Sequence, residues 1–390
     1  MKILTYTTLY PNSVQKRHGI FIENRLRHLV KEKNVEATVI APVPWFPFKN
    51  PRFGSYSEFA SVPSYEKRFG IDVYHPRFPV IPKIGMNISP SLLFHFTKNF
   101  TKKIIEKVNG VDLIDAHYFY PDGVAAARIG QLLNLPVVIS ARGTDINVIP
   151  NYPVPRKQIL EAAKAASGLI AVSKALKNKL IEIGVERDKI HTIRNGVNLN
   201  QFSIKSRDEI RKKYDLNSFT LLSVGNLVEL KGQHLVISAL KHLSDIRLII
   251  VGQGEQEATL KEQVKMFDLK DRVLFFPNLS QDELALIYNA VDVTVLASSR
   301  EGMPNVVLES LACGTPVIAT NVGGVPEILD SEISGIILDS RSVDNLVEAI
   351  KKIKNISPQR LNVRAYAEQF DWSEVVERQF GLYKSVIGNA

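Results

Sequence analysis

The stretch Arg300–Leu329, REGMPNVVLESLACGTPVIATNVGGVPEIL, decides the fold and carries most of the chemical information in this 390-residue chain. Two carboxylates, Glu301 and Glu309, flank a Gly-Met-Pro-Asn turn that opens a predicted helix. Pro304 suits the first position of that helix, because proline has no N–H group that would need a partner there. A helix start attracts anions, so the N–H groups that follow Pro304 predict a cradle for phosphate.

The two carboxylates indicate a ligand that also carries hydroxyl groups. Glu309 lies one helical turn after Asn305, so both side chains face the same side of the helix. Like charges repel, so Glu301 and Glu309 are expected to accept hydrogen bonds from hydroxyls rather than to bind phosphate. A ligand with both a diphosphate and sugar hydroxyls is a nucleotide sugar. From the spacing alone, a capped helix with two exposed glutamates is an equally good interpretation.

The whole string resembles the Glu-x7-Glu signature of the family-four (group 1) retaining glycosyltransferases. The match continues through Ala312–Val317 (ACGTPV) and Gly323–Glu327 (GGVPE). This resemblance implies the α/β GT-B fold, in which two Rossmann-like domains have parallel sheets facing across a cleft and a C-terminal helix crosses back to the first domain. It also implies a nucleotide-diphosphate sugar as donor substrate and a front-face substitution with retention at the anomeric carbon.

Length and composition predict two domains in a reducing compartment. A chain of 390 residues exceeds the usual size of a single core, and 45% hydrophobic residues is ordinary for a globular protein. Cys313 is the one cysteine, so an internal disulfide framework is excluded. No signal peptide is visible after Met1, and no apolar run is long enough to span a membrane. The expected location is cytoplasmic.

The charge is distributed unequally along the chain. Residues 1–200 contain 28 Lys and Arg against 15 Asp and Glu, a net charge of +13, whereas residues 201–390 contain 21 against 25, a net charge of −4. The basic first half predicts an anionic partner, such as a membrane surface or a lipid-linked phosphate, although a solvated basic surface without a partner stays open. No nucleic-acid-binding motif is present, so no nucleic acid partner is expected.

Two segments of the first half, Pro42–Phe59 and Pro76–Phe100, are rich in proline, aromatic and basic residues. Aromatic side chains beside lysines suit a membrane interface or a lipid-bearing acceptor. Loops and helices that pack inward are the alternative interpretation. These segments therefore predict peripheral contact with an anionic membrane through the N-terminal domain, without establishing it.

Short apolar runs alternate with amphipathic stretches, which predicts βαβ units and parallel sheets. We predict an N-terminal acceptor-side Rossmann-like domain of residues 1–198, completed by a helix in residues 373–390, and a C-terminal nucleotide-sugar-binding Rossmann-like domain of residues 199–372. The predicted strands are Ile3–Thr7, Ala37–Ala41, Ile71–His75, Leu113–His117, Val137–Ala141, Leu169–Val172, Ile190–Ile193, Thr220–Val224, Arg247–Val251, Val273–Phe276, Val293–Leu296, Val317–Ala319 and Gly335–Leu338.

Further candidates lie in the turns after these strands, because open α/β sheets bind ligands at the carboxyl ends of their strands. Lys231 opens the helix after the first strand of the second half and is expected to bind phosphate. The related family usually has arginine where this chain has Asn226, so one of two expected cations is missing. Candidate replacements are Arg142, Arg194 and Arg300, of which Arg142 is preferred.

The complete set of candidates combines the motif, the turns and the resemblance. The resemblance places His117 close to the transferred sugar, although a lone histidine is more often structural. Gly19 is the one glycine present of a usual pair, so close approach to a phosphate and an ordinary turn are equally expected. The catalytic candidates are His117 and Glu301. The donor-binding candidates are Gly19, Arg142, Asn226, Lys231, Gly252, Gly254, Asn278, Gly302, Met303, Pro304, Asn305, Val306 and Glu309.

These observations predict a retaining hexosyltransferase that moves a sugar from a nucleotide-diphosphate sugar to a glycan or lipid-linked acceptor, in cell-surface polysaccharide assembly. No cofactor and no metal are expected, because no Asp-x-Asp motif is present and a helix start with a cation can replace Mg²⁺. One alternative is a nucleotide-sugar-binding protein without catalysis, for which Asn226 is the best argument. Another is a GT-B-fold sugar-nucleotide epimerase, although such epimerases lack the Glu-x7-Glu string.

Overall fold

The computed structural model describes residues 1–81 and 85–388, which form two compact units. One unit comprises Met1–Asn195 together with the C-terminal helix, and the other comprises Gly196–Asp371. The division lies just before the boundary predicted at residue 198. No helix in the described part of the chain is long and apolar enough to cross a membrane.

The N-terminal unit is built on an eight-stranded sheet with the order β10-β9-β8-β7-β1-β2-β5-β4. Neighbouring strands are parallel, except that β4 runs antiparallel to β5 at the edge. A separate parallel pair joins β3 to β6. The strands are β1 (Lys2–Tyr6), β2 (Glu36–Ile40), β3 (Val43–Pro44), β4 (Tyr65–Arg68), β5 (Ile71–Tyr74), β6 (Arg77–Phe78), β7 (Leu113–His117), β8 (Val137–Ala141), β9 (Gly168–Ala171) and β10 (Ile190–Thr192).

The helices between the strands of this unit cover its sheet. They are α1 (Ile20–Lys33), α2 (Ser55–Ser61), α3 (Ser89–Lys107), α4 (Val124–Leu133), α5 (Thr144–Asn147), α6 (Pro153–Ala165) and α7 (Lys174–Glu182). Every residue of β7 and β8 is buried, as expected for central strands of a parallel sheet covered on both faces. Burial therefore includes the two polar residues of β7, Asp115 and His117.

The C-terminal unit contains a six-stranded parallel sheet with the order β13-β12-β11-β14-β15-β16. Its strands are β11 (Phe219–Val224), β12 (Ile246–Val251), β13 (Val273–Phe276), β14 (Val293–Leu296), β15 (Val317–Thr320) and β16 (Gly335–Leu338). Its helices are α8 (Arg207–Lys213), α9 (Gln233–Leu240), α10 (Glu257–Met266), α11 (Gln281–Ala290), α12 (Asn305–Ala312), α13 (Val343–Ile356) and α14 (Arg360–Ala367).

The core of this unit forms because the strands are apolar and the helices are amphipathic. Leu221, Leu248, Val293 and Ile318 of the sheet belong to one buried cluster with residues of α9, α10 and α13. A capping box joins Ser280 and Glu283 at the start of α11, as the Ser-x-x-Glu spacing predicts. These contacts fix the strand ends from which the loops of the candidate site emerge.

The last helix, α15 (Trp372–Gly388), belongs to the N-terminal unit, as the resemblance implies. Trp372, Val376 and Tyr383 are buried in the cluster that also contains Ile22 and Leu26 of α1. Gln379 accepts a hydrogen bond from the buried Arg25 at 2.6 Å. The amphipathic pattern of this segment is therefore explained by its packing against α1.

All thirteen predicted strands are present, with bounds that agree to within one residue. Sequence patterns did not predict β3, β4 and β6, because β3 and β6 have only two residues each and β4 is a polar edge strand. Four short helices, α2, α5, α8 and α14, were not predicted either; in α8 only Ile210 is buried among charged residues. Apolar periodicity thus identified the strands of both sheet cores and failed for short or polar elements.

Candidate functional site

The loop between β14 and α12 lies at the carboxyl edge of the six-stranded sheet. Pro304 is the residue before α12, with an extended ψ of 108°, and Asn305 is the first helical residue. The prediction that Pro304 occupies the first helical position was therefore wrong by one residue. Met303 and Pro304 are buried, whereas Gly302, Asn305 and Val306 are half-buried. The first turn of α12 directs its N–H groups toward this edge, which favours an anion there.

Lys231 and Glu301 form an ion pair within this edge. Their Nζ and Oε1 atoms are 2.6 Å apart, and Ser298 donates a hydrogen bond to the same oxygen at 2.7 Å. Only 22% of the lysine side chain and 10% of the glutamate side chain are exposed, so water screens this pair less than a surface pair. The cation predicted for phosphate and the carboxylate predicted for sugar hydroxyls therefore lie in direct contact.

A glycine fixes the position of Lys231. The lysine ends a 3-10 turn, Glu229–Lys231, and α9 begins two residues later, so Lys231 does not open the helix as predicted. Gly232 has a φ of 73°, and a Cβ atom there would lie 2.1 Å from the carbonyl oxygen of Ala297. Glycine is required because the two loops touch at this point.

Glu309 faces the same side of α12 as Asn305, and both side chains are half-buried, as the four-residue spacing predicts. The hydroxyl of Tyr288 donates a hydrogen bond to Glu309 Oε2 at 3.0 Å. Tyr288 belongs to α11 and is fully buried. The sequence missed this partner because Tyr288 looks like any apolar position of an amphipathic helix.

The two glycines after β12 serve the packing of neighbouring loops. A Cβ atom on Gly252 would lie 1.9 Å from the carbonyl oxygen of Gly225, and one on Gly254 would lie 2.4 Å from that of Leu227. Asn226 is exposed in the loop that these glycines contact, and its carbonyl oxygen accepts a hydrogen bond from Val228. These contacts bring Asn226, Gly252 and Gly254 together at the same edge as Lys231.

Asn278, after β13, is also at this edge. Its side-chain amide donates a hydrogen bond to Gln253 Oε1 at 2.9 Å, and Asn278 is exposed. The pair Asn278–Gln253 lies beside the Gly252–Gly254 turn. Gln253 was not predicted, and only its position between two glycines could have suggested it.

Two glycines of the long motif, Gly323 and Gly324, pack against the turn at Glu301 and Gly302. A Cβ atom on Gly323 would lie 2.1 Å from the carbonyl oxygen of Glu301, and the N–H of Gly324 donates to the carbonyl of Gly302 at 2.8 Å. The Gly-Gly pair after β15 therefore holds the turn that carries Glu301. The motif Gly323–Glu327 supports the resemblance, but its spacing alone predicts no role for the two glycines.

In the N-terminal unit, His117 belongs to a buried chain of polar groups. Its Nε2 donates to Asp115 Oδ2 at 2.8 Å, and its Nδ1 accepts a hydrogen bond from the Arg142 guanidinium. Burial lowers the pKa of His117 to about 4, so the imidazole is neutral at pH 7. Because both ring nitrogens have partners, a hydrogen bond from the imidazole to a sugar would require displacement of one partner.

Arg142 follows β8 in the same unit, whereas Asn226 lies in the other unit. Its guanidinium also donates to Asn195 Oδ1 at 3.1 Å, and the residue is only 9% exposed. Burial lowers the pKa of Arg142 to about 9, which leaves it charged at pH 7. The Arg142 side chain therefore contacts protein groups, namely His117 at the end of β7 and Asn195 at the end of the segment Met1–Asn195.

Gly19 precedes α1 with a φ of 69°, and a Cβ atom there would lie 2.2 Å from the carbonyl oxygen of Leu9. Of the two interpretations of Gly19, the structure provides a reason for the turn: the loop closes on Leu9. Among residues 1–81 and 85–388, no group of three or more His, Cys, Asp or Glu side chains could hold a metal ion.

Comparison with known proteins identifies the family. The model for "Glycosyltransferase Family 4" matches residues 19–201, and the model for "Glycosyl transferases group 1" matches residues 206–370. A Bacillus subtilis protein named as a teichuronic acid biosynthesis glycosyltransferase, TuaC, is 31% identical over 91% of this chain and 90% of its own. N-acetyl-alpha-D-glucosaminyl L-malate synthase of Bacillus anthracis is 27% identical over 71% of this chain and 75% of its own.

Solved structures resemble the whole chain. Sucrose-phosphate synthase from Thermosynechococcus elongatus has a TM-score of 0.80 at 18% identity and covers 100% of this chain and 99% of its own. Anabaena HepE in complex with UDP-glucose has a TM-score of 0.74 at 22% identity and covers 99% of this chain and 100% of its own. The chain therefore belongs to the family-four, group 1 glycosyltransferases, and it has the GT-B fold with two Rossmann-like domains.

Proposed function

We propose that this glycosyltransferase transfers a hexose, with retention at the anomeric carbon, from a nucleotide-diphosphate sugar to a glycan or lipid-linked acceptor. One observation carries the proposal: the start of α12, Lys231, Glu301 and Glu309 converge at the carboxyl edge of one parallel sheet. A helix start and a lysine suit a diphosphate, and two carboxylates suit hydroxyl groups. No resident cofactor or metal is part of the proposal.

Each residue has a proposed role in binding. The first-turn N–H groups of α12 and Lys231 bind the diphosphate. Glu309, held by Tyr288, accepts from ribose hydroxyls, and Glu301 accepts from hydroxyls of the transferred sugar. The diphosphate attracts Lys231 away from Glu301, so donor binding weakens the ion pair and makes Glu301 available to the sugar.

The chemical step is a front-face substitution, which the family resemblance implies. The bond between the anomeric carbon and the leaving phosphate oxygen breaks, and the acceptor oxygen bonds to that carbon on the same face. The acceptor proton passes to the leaving phosphate oxygen, so no side chain is needed as a base. Lys231 and the α12 amides stabilise the negative charge that develops on the diphosphate. The backbone carbonyl of His117 is the proposed contact with the sugar.

The proposed setting is cell-surface polysaccharide assembly at the cytoplasmic face of the membrane, with peripheral contact through the basic N-terminal domain. The net charge of +13 in residues 1–200 supports attraction to anionic lipids. The name of the teichuronic acid relative is consistent with this setting.

The first experiment identifies the donor and the stereochemistry. Thermal unfolding is measured with UDP-, GDP- and ADP-sugars, because a ligand that binds the folded state raises the apparent stability. The anomeric configuration of the product is then read by NMR. Inversion, or the absence of stabilisation by every donor, would contradict the proposal.

The second experiment separates the two glutamates. Glu309→Gln should raise the donor Kd about tenfold, since hydrogen bonds to charged groups contribute roughly 1.5–3 kcal/mol. Glu301→Gln should lower kcat roughly 100-fold while the donor Kd changes by less than about threefold. Glu348→Gln, on an exposed position of α13, is the matched control. Equal effects of both site variants on Kd and kcat would remove the assigned division of roles.

The alternative without catalysis is favoured by Asn226, which is exposed where the related family usually has arginine. Hydrolysis of the donor in the absence of acceptor separates the two functions. A protein that binds the donor and never cleaves it, with or without acceptor extracts, would be the binding protein.

A further inference from the structure

We propose that Arg341 is a positioning residue for the transfer reaction, because its guanidinium joins the two loops that carry Lys231 and Glu301. The inference rests on the proposed function, since it names a residue that acts through the ion pair of that site. Arg341 lies outside the motif Arg300–Leu329, and its hydrogen bonds go to backbone carbonyl groups rather than to either side chain of the pair.

Arg341 lies just after the edge strand of the C-terminal sheet. β16 ends at Leu338, and Ser342 caps α13 by accepting a hydrogen bond from the N–H of Asn345 at 3.2 Å. This cap fixes the backbone next to Arg341, because it satisfies an N–H group in the first turn of the helix. The arginine side chain therefore starts from a defined point at the carboxyl edge of the sheet.

The guanidinium of Arg341 bonds to two loops at once. Its Nε donates to the carbonyl oxygen of Ala297 at 2.8 Å, and its Nη2 donates to that of Glu229 at 3.3 Å. Ala297 follows β14 and lies four residues before Glu301. Glu229 begins the 3-10 turn that ends with Lys231. One side chain thus links the backbone segments from which both members of the ion pair emerge.

The strand order makes this link a long-range one. The order β11-β14-β15-β16 places β15 between the strand that precedes Arg341 and the strand that precedes Ala297. The side chain therefore reaches past the end of β15, and its contact with Glu229 extends to the loop after β11. Arginine is suited to this span, because its planar guanidinium carries donors that point in different fixed directions.

Arg341 completes a set of contacts between the same two loops. The N–H of Ser299 donates to the carbonyl of Leu230 at 2.8 Å, and Gly232 lies against the carbonyl of Ala297. These backbone contacts bring the loops together, and the guanidinium restrains their relative movement because it holds one carbonyl on each. A displacement of about 1 Å between reacting groups can lower a rate about 100-fold, so such a restraint affects turnover without contact to the substrate.

The first test removes the side chain. Arg341→Ala should lower kcat about tenfold, since Lys231 and Glu301 are then held less firmly in register. The donor Kd should rise less than about threefold, because Glu309 and the first turn of α12 keep their own contacts. Steady-state kinetics and calorimetry with the identified donor measure the two quantities.

Arg272 provides a matched control at the opposite edge of the same sheet. It precedes β13, and it makes three hydrogen bonds to backbone carbonyls, those of Leu240, Leu243 and Ser244. Arg272→Ala should therefore destabilise the protein at least as much as Arg341→Ala, while kcat stays within about twofold of wild type. A fall in kcat of the same size in both variants would show an effect of stability alone and would overturn the inference.

The second test separates the geometry of the guanidinium from its charge. Arg341→Lys keeps a cation without the fork of donors, so its kcat should stay within about threefold of the alanine variant. Arg341 is exposed, so guanidinium ions from solution can reach the space that Arg341→Ala leaves. Non-denaturing guanidinium chloride should raise the kcat of Arg341→Ala about threefold relative to sodium chloride of equal ionic strength. Wild-type activity of Arg341→Lys, or equal activation by sodium chloride, would contradict the positioning role.

The third test asks whether Arg341 acts through Glu301. In a Glu301→Gln background, Arg341→Ala should lower kcat by less than about twofold, because the carboxylate that Arg341 positions is already absent. A further loss of about tenfold would show that the two residues act independently, and the inference would fail.

A measurement without donor separates this inference from the proposed function. In crystals of donor-free Arg341→Ala, the distance from Lys231 Nζ to Glu301 Oε1 should increase from 2.6 Å to more than about 4 Å, the usual limit of an ion pair. An unchanged distance would reject the positioning role and spare the transfer function. An increased distance, in a protein whose wild type neither binds nor cleaves any donor, would reject the function while Arg341 still positions the pair.

Discussion

The carboxyl edges of the two sheets hold their charged groups in different ways. In the C-terminal unit, the Lys231–Glu301 pair is 22% and 10% exposed and lies in loops held by glycine contacts. In the N-terminal unit, Asp115 and His117 are each 1% exposed, and Arg142 binds the histidine from its other side. The first arrangement can exchange partners with a ligand, whereas the second has its partners inside the protein.

The difference shows that a charged residue at a strand end indicates ligand binding only where its partner can be exchanged for a ligand. A partly exposed ion pair keeps one face toward solvent, so an anion or a hydroxyl can replace one partner. A fully buried chain needs all its partners, because each unpaired charge would carry the full cost of desolvation. We therefore expect substitutions in the C-terminal unit to affect turnover and substitutions in the N-terminal unit to affect stability.

The largest expected effect tests the buried chain. Arg142→Met should lower the free energy of unfolding by about 3–5 kcal/mol, because it removes the buried hydrogen-bond donor to His117 Nδ1, the hydrogen bond to Asn195 and a cation near Asp115. Chemical denaturation measures this loss. Arg128→Met, which removes a half-buried arginine bonded to Ser91, is the control and should cost less than about 1 kcal/mol.

The same variant also tests whether Arg142 replaces the cation missing at Asn226. If it does, Arg142→Met should raise the donor Kd more than about tenfold at temperatures where the variant is folded. Arg300→Met is the comparison, because Arg300 lies in the unit that carries Asn226. Normal stability with a large loss of donor affinity would place Arg142 with Lys231 rather than with His117.

A slightly smaller effect is expected for Lys231→Met. It should lower kcat/KM by roughly 10²–10³-fold, because a preorganised cation near the leaving group stabilises the charge that develops in the transition state. Steady-state kinetics with the identified donor measures it. Lys261→Met, which breaks the more exposed pair with Glu257, is the control and should change kcat/KM less than twofold. Activity within about fivefold of wild type would show that the α12 amides suffice.

The smallest of these effects is a pH dependence. The pKa of His117 is about 4 in the folded protein and near 6.5 when unfolded, so between these values only the unfolded chain binds the proton. The contribution is fully present above pH 6.5 and is lost as the pH falls toward 4. From pH 7 to pH 5 it should reduce the free energy of unfolding by about 2 kcal/mol.

The variant His117→Gln isolates this contribution. Burial raises the pKa of Asp122 to about 7, so protonation of Asp122 favours the folded state as the pH falls from 7 to 5. This opposite effect on the free energy of unfolding is the same in wild type and variant, and it cancels when the two proteins are compared. The variant should therefore lose less stability than wild type between pH 7 and pH 5. Equal losses would show that folding does not lower the pKa of His117.

Local sequence patterns predicted most strands of the fold and the motif residues at the carboxyl edge of the C-terminal sheet. The apolar runs located thirteen strands, and the motif at Arg300–Leu329 brought Glu301, Asn305 and Glu309 together in one loop and one helix. These predictions succeed because burial and helix spacing are properties of neighbouring residues. The one-residue error at Pro304 arose because proline is favoured both just before and just inside a helix start.

Local sequence patterns could not predict contacts between residues that are far apart in the chain. Lys231 and Glu301 are 70 residues apart, and Arg142 and Asn195 are 53 apart. Whether a lysine meets a carboxylate depends on distances of a few ångströms, which follow from strand order and from glycine contacts such as that of Gly232 with Ala297. These distances cannot be inferred from the types of the residues and their spacing in the sequence.

The amino-acid sequence by itself determined the α/β class, the family and the residues of the motif, because periodic burial and a thirty-residue signature are written in local order. Only the tertiary structure decided that Lys231 pairs with Glu301 and that His117 is enclosed between Asp115 and Arg142. The physical reason is that electrostatic and hydrophobic contacts act over a few ångströms, and folding alone brings distant side chains to such distances.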